Sequence, residues 1–290
     1  MRPCWSTRWA LVLCGLGLSA TIGWARTPND RPPPPGGPTP PRSATREWMD
    51  IRRGGAASVI ADARQHAAPK AWMAVWSEQP ADPREERQPS SARLTVQVVR
   101  APSPRPDSRS RVLVQVMQPP ALRGIGVLMD EQGVWLRTSP DGPVVAATDA
   151  LLSAPVAGLG LPLAVFVAGE WQGEARTRSS YDTSLEGEFG DTAILRFKPH
   201  YEAGPHTPIL KAGVSKRYGT WTLGELDDRK GQPMGKIEWL ELRERESIPI
   251  AELLRLQPAQ GPARTLQRTS HQLGAAVRWQ GGAKGLAQLR

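Results

Sequence analysis

Four histidines and a scatter of carboxylates are the residues with which this chain could do acid–base or metal chemistry. His200 and His206 bracket a Tyr-Glu-Ala-Gly-Pro loop and could share a metal ion, while His66 and His271 stand apart. The i,i+4 helical spacing of a zinc protease and the spacing of a zinc knuckle are both missing. Surface histidines are therefore the expectation. Asp227, Asp228, Glu186 and Glu188 lie beside glycines or basic residues, where turns and exposed faces account for them. A glycosidase pair need not be close in the chain, so spacing does not test for one. No Gly-x-Ser-x-Gly nucleophile elbow, phosphate-cradling loop or Gly-x-Gly-x-x-Gly fingerprint occurs. Cys4 and Cys14 both fall in the N-terminal leader described below. Thiol nucleophiles, thiolate zinc sites, iron–sulfur ligation and disulfides are thereby excluded from the rest of the chain. The expectation is a protein that is not an enzyme and holds no cofactor or metal.

What the sequence does offer is apolar and aromatic. It has 11 Trp against 3 Phe and 3 Tyr; Trp5, Trp9 and Trp24 lie in the leader, and Trp135, Trp221 and Trp239 fall on expected strands. In the stretch around Trp239, Ile237 and Trp239 share one face of a strand and Leu240 and Leu242 the other. Apolar side chains on both faces imply a sheet covered on both sides, or one curved round a cavity. Tryptophan that simply fills a core is the alternative for each position.

The elements that must position these side chains follow from periodicity and punctuation. Residues 1–25 have Arg2 and Arg8, then a short apolar run, then small residues at Gly23 and Ala25. That is the pattern of a cleaved secretory signal, and the run is short of the roughly 20 residues that a membrane helix needs. An uncleaved anchor is the alternative. A lipid-modified Cys14 is rejected, because Leu13 before it is not small. The formal net charge is +9, to which the leader contributes two; the surplus favours anionic lipid surfaces and acidic partners, and export argues against nucleic acid. Residues 26–44 are a proline-rich tether. Residues 45–66 read as helical, with Gly54-Gly55 as a break. Residues 71–76 suit a helix or the first strand.

From residue 93 the pattern becomes alternating. Strands are expected over 93–100, 111–117, 125–129, 134–138, 192–198, 209–216, 217–226 and 235–243. Turns lie at residues 130–133, 141–142 and 227–231. Residues 148–153 form one or two helical turns capped by Thr148 or Asp149. Residues 161–168 are continuously apolar, and periodicity leaves strand and helix both open. Turn-length connections imply an antiparallel meander. The arginine-rich residues 258–290 read as a basic, disordered tail.

Residues 114–137 carry a family resemblance. A strand is followed by Pro119-Pro120, Arg123-Gly124, the apolar 125–129 strand, Gly133 and a strand holding Trp135; Pro140 and Val144-Val145 continue the pattern. The Trp221 to Trp239 hairpin with its Asp227 to Gly231 turn adds to it. Over residues 92–244 this resembles the LolA-like outer-membrane lipoprotein-sorting proteins. The chain departs from that pattern at the apolar run 161–168, where many relatives carry a Ser/Asp-Phe segment. The resemblance implies a mainly β domain over residues 45–257, an open, strongly curved antiparallel sheet (an incomplete barrel) with short helices as a lid. It further implies a concave apolar face that holds acyl chains.

Three readings follow. The first is a periplasmic carrier or chaperone binding lipoprotein acyl chains or other lipids for transport towards the outer membrane. It would touch the membrane transiently and meet an inner-membrane transporter. Its cavity residues would be Val114, Val116, Leu128, Trp135, Phe166, Leu195, Trp221, Leu223, Ile237 and Trp239, with Arg123 as a candidate lid contact or a solvated strand-entry arginine. The second is an envelope protein-binding or sensing module of the same fold, similar to RseB-type relatives. The third is a hydrolase, which would need convergent polar groups.

Overall fold

In a computed structural model of the chain, the described residues are 42–79, 93–103, 111–170, 181–274, 277 and 286. The leader and residues 26–41 of the tether lie outside them. Helix α1 (Arg42–Arg53) begins inside the stretch expected to be tether. It is separated from α2 (Gly55–Ala67) by Gly54; Gly55, the first residue of α2, has φ +72°, where a side chain is strained. Helix α2 buries Val59, Ile60, Ala63 and Ala67, spaced along one stripe.

Strand β1 (Trp72–Glu78) then begins a first meander through β2 (Thr95–Ala101), β3 (Arg111–Gln118), β4 (Gly126–Asp130), β5 (Gly133–Arg137) and the two-residue β6 (Val145–Ala146). Trp72, Ala74 and Trp76 alternate inward along β1, and Val96 and Val98 do so along β2. A long connection follows. It holds α3 (Asp149–Ser153), whose first turn is capped by Thr148 Oγ1 accepting from the Leu151 amide, and a 3-10 segment, Leu163–Val167. The second meander runs through β7 (Tyr181–Phe189), β8 (Thr192–Pro199), β9 (Ile209–Ser215), β10 (Trp221–Asp227), β11 (Pro233–Arg245), β12 (Ile248–Pro258) and β13 (Arg264–Leu273).

Among the described residues, all strands join one 13-stranded sheet in the order β6-β5-β4-β3-β2-β1-β13-β12-β11-β10-β9-β8-β7. The strand pairs described are antiparallel, and the two meanders meet where β1 pairs with β13, Trp72 opposite Leu273. Two sequence expectations need correction. The first is curvature: the sheet is mainly β with short helices as expected, but it is not strongly curled or closed, and β6 and β7 remain as separate edges. Closure needs edge strands that can pair along their length, and β6 offers two residues. The second is the tail: residues 264–273 form β13 at the middle of the sheet, because β1 and β12 supply its hydrogen-bonding partners.

The core lies between one face of the sheet, called inner here, and a cover made of α2 and residues 161–169. The Leu163–Val167 segment, all five residues buried, runs over β10 and β11. Its close approach depends on Gly224 and Gly235. A Cβ at Gly224 would sit 2.0 Å from the Val165 carbonyl oxygen, and one at Gly235 would sit 2.8 Å from the Leu161 side chain. No helix among the described residues is long and apolar enough to cross a membrane.

Candidate functional site

The inner faces of β1, β2, β3, β8, β9, β11, β12 and β13 present an apolar surface that is continuous from one half of the sheet to the other. Val98, Val114, Leu195, Ile237, Leu256 and Leu266 all belong to one buried cluster with α2 and the Leu163–Val167 segment. Tryptophans mark its centre. Trp76 and Trp239 meet edge to face, centroids 5.6 Å apart at 76°. Trp76 Nε1 donates to the Ala251 carbonyl at 3.1 Å and Trp72 Nε1 to the Ala67 carbonyl at 3.0 Å. The indoles are thus fixed by their polar edges while their rings pack.

Of the residues expected to line a cavity, Val114, Val116, Phe166, Leu195, Trp221, Ile237 and Trp239 are brought together in this cluster. The side chains fill the space: a hollow bounded by Trp72, Trp76, Trp221 and Trp239 measures about 20 Å³, room for one water. Leu128 and Trp135 pair with each other on the opposite, outer face, in a separate cluster with Val99, Leu113 and Leu286. Leu223 also faces outward, since its neighbour Gly224 is the residue beneath Val165. Strand parity separates the groups, and a shift of one residue exchanges them. Arg123 is exposed at the end of the Pro120–Leu122 turn.

The charged pair inside the core was not found from the sequence. Arg100 and Glu170 are 4% and 0% exposed. Arg100 Nη1 donates to Glu170 Oε1 at 2.8 Å, and Trp221 Nε1 donates to the same oxygen at 2.8 Å. The other oxygen, Glu170 Oε2, is buried with no hydrogen-bond partner among the described residues. Burial pulls the Arg100 guanidinium below its ordinary pKa range, and Glu170 opposes that shift. Parity was the available signal: Arg100 follows Val96 and Val98 on the inward-facing side of β2. Glu170 closes the cover, its amide donating to the Val167 carbonyl at 2.9 Å.

An open groove of about 680 Å³ lies on the second half of the sheet, lined among others by Ile194, Leu223, Leu240, Lys236, Glu238 and Tyr218. Ion pairs surround it: Lys236 with Glu238 at 2.8 Å and Lys211 with Glu225 at 2.7 Å.

Asp227 is buried, 8% exposed, and paired with Lys211 at 3.2 Å, and the other candidate acid–base groups are exposed or half-buried. His200 is 3.5 Å from Asp182, and His206 offers its carbonyl to Ser153. Glu186 pairs with Arg196, and Glu188 with Arg52 and Lys216. Asp228 Oδ1 accepts from the amides of Lys230 and Gln232 within its own turn. Among the described residues no three His, Cys, Asp or Glu side chains gather as a metal site would need.

No family model and no curated protein matches the sequence. Solved structures do. A putative outer membrane lipoprotein-sorting protein domain from Vibrio parahaemolyticus aligns over 78% of this chain and 94% of its own, with 13% identity and a TM-score of 0.50. A LolA superfamily protein from Nitrosomonas europaea aligns over 76% of this chain and 93% of its own, with 13% identity and a TM-score of 0.45. The likeness to the Vibrio domain is one of fold: this chain resembles the lipoprotein-sorting proteins in architecture, as the 114–137 motif suggested.

Proposed function

We propose that this chain is an exported, non-catalytic carrier of the cell envelope that holds acyl chains between the inner face of its sheet and the cover formed by α2 and the Leu163–Val167 segment. The observation that carries this reading is the broad apolar inner face, covered among the described residues by short helical pieces. Val114, Val116, Phe166, Leu195, Trp221, Ile237 and Trp239 would contact the ligand once the cover lifts. Leu128, Trp135 and Leu223 would act from the outer face or through packing. The fold it shares with a lipoprotein-sorting domain supports a role on the way to the outer membrane, in the periplasm.

Magnitudes make such an exchange reasonable. Leu163, Val165, Phe166 and Val167 are fully covered, and burial of each is worth about 1.5–3 kcal/mol, so lifting them costs about 6–12 kcal/mol. An acyl chain of about 15 methylenes brings on the order of 12 kcal/mol at about 0.8 kcal/mol per methylene. The two terms are close, so uptake and release would both be accessible, and a partner that favours the lifted cover would tip the balance.

Delipidated, refolded protein should take up a fluorescent fatty acid at micromolar concentration with a blue shift of the bound dye. A dye that stays in water at those concentrations removes the reading. The groove over Ile194, Leu223 and Leu240 favours one second reading, a protein-binding module. In that case an Ile194→Arg variant would lose a co-purifying partner while its lipid uptake stayed unchanged.

A further inference from the structure

Two arginines, Arg100 and Arg268, have side chains only 5% exposed; Arg268 is paired with Glu252 of the sheet itself, whereas Arg100 is paired with the cover. Arg100 reaches the core from β2, beside Trp72 on the neighbouring strand, and it lines the same small hollow as Trp76, Trp221 and Trp239. Its side chain is 5% exposed, and its acidic partner Glu170 is fully buried. A charge held this deep requires a counter-charge, because removing one member of a buried pair leaves the other desolvated and unpaired. Here the counter-charge is supplied by the cover. Glu170 stands three residues beyond Val167, so any motion that lifts the Leu163–Val167 segment off Gly224 also draws the carboxylate away from Arg100 and Trp221.

Glu170 is also an imperfect partner. It engages Arg100 and Trp221 through Oε1 alone, and Oε2 is buried with no hydrogen-bond partner among the described residues. A guanidinium commonly grips both oxygens of a free oxyacid, so the pair leaves unused capacity on both sides.

Resting on the carrier reading above, we infer that Arg100 receives the acidic head of the ligand, with Glu170 occupying that position when the chain is empty. The ligand class is then an acyl chain ending in one anionic oxyacid, a carboxylate or a phosphate. Its tail replaces the Leu163–Val167 side chains, and its head replaces the Glu170 carboxylate between Arg100 and the Trp221 indole N–H. Charge in the core is conserved through the exchange: one carboxylate leaves as one anion enters. A neutral lipid of equal length would leave Arg100 unpaired and should be refused.

Competition against a bound fluorescent sixteen-carbon probe tests this on the full chain, with hexadecanoate, hexadecyl phosphate and hexadecanol as competitors. Wild-type protein should prefer one or both acids to the alcohol by at least tenfold, and the stronger acid identifies the head group. Glu170→Gln, which keeps the shape and removes the competing charge, should bind the acids more tightly still. Arg100→Met alone risks misfolding by stranding Glu170, so the double variant Arg100→Met/Glu170→Gln keeps the core neutral. It should take up the alcohol at least as well as the wild type does and lose the preference for acid. Equal binding of acid and alcohol by wild type, or an acid preference that survives in the double variant, overturns the inference and leaves the carrier reading standing. Failure of all three competitors and of the probe itself would remove both.

Discussion

The outer face of the sheet is finished differently in its two halves. Across β2, β3 and β4 it carries Val99, Leu113 and Leu128, and these are sealed by Leu286 from the C-terminal segment, itself fully buried. Across β8 to β11 the corresponding face carries Arg196, Lys211, Glu225, Lys236 and Glu238 in ion-paired rows, with Ile194 and Leu223 half-buried in the groove among them. The first half is thus apolar on both faces of the sheet, and the second is apolar on its inner face and wet on its outer one. The comparison teaches that apolar residues on both sides of a strand can report a second covering segment. In β4 they do, through Leu286.

The sharpest way to break this contrast is to place the same charge on both halves. Leu128→Asp, in the sealed half, should cost about 3–5 kcal/mol by burying an unpaired carboxylate, while Ile194→Asp in the groove should stay below about 1 kcal/mol. Urea unfolding monitored by tryptophan fluorescence would read both, and equal losses would show that the two faces are equivalent. Next in size is Gly224→Ala on the opposite, inner face. The new methyl meets a backbone carbonyl, which cannot rotate aside, so a loss of about 3 kcal/mol is expected, together with easier proteolysis near Val165. Leu286→Ala should follow at about 2 kcal/mol, measured by the same unfolding curves, since the satellite cluster can partly collapse onto the gap.

The smallest effect concerns the cover's helix. Asp62, one turn before His66, bonds its ring and raises the His66 pKa from 6.5 to about 9, against the opposing effect of burial. A group raised on folding contributes its full stability below pH 6.5 and loses it as pH climbs through about 9. The melting-temperature gap between wild type and Asp62→Asn should accordingly shrink across that window. A gap that widens with pH would contradict the pairing.

How far the sequence reveals this molecule varies with the kind of signal. Strands such as β2 and β3, dense in valine, and the helix break at Gly54-Gly55 are legible because local pattern and final environment agree. Strand β13 is not. Only Leu266 is buried along it, so its pattern looks like a polar tail, and its strand character comes from neighbours in β1 and β12. Strand β7, with the alternation of Tyr-Asp-Thr-Ser-Leu diluted by glycine and glutamate, was overlooked for the same reason. The apolar run 161–168 became a 3-10 segment because its close approach to the sheet depends on Gly224 and Gly235, far later in the chain, which no local window contains. Among the candidate site residues, type was legible and face was not: Leu128 and Trp135 look like Val114 and Val116 in composition and differ from them by parity alone. Arg100 was passed over because a lone arginine at a strand end resembles a solvated one until its partner, Glu170, is placed beside it.

The meeting of β1 with β13 at the centre of the sheet has a consequence for how such a chain is built. Synthesis proceeds from the N-terminus, yet the strand made first waits for one of the last to satisfy its second edge, with Trp72 and Leu273 about 200 positions apart. Half-finished chains therefore keep β1 as an open edge of the first meander, and contacts of such long sequence separation make the final zippering slow. Under the proposal that the chain is exported, that delay is useful, since it keeps the polypeptide threadable until its final strands have emerged.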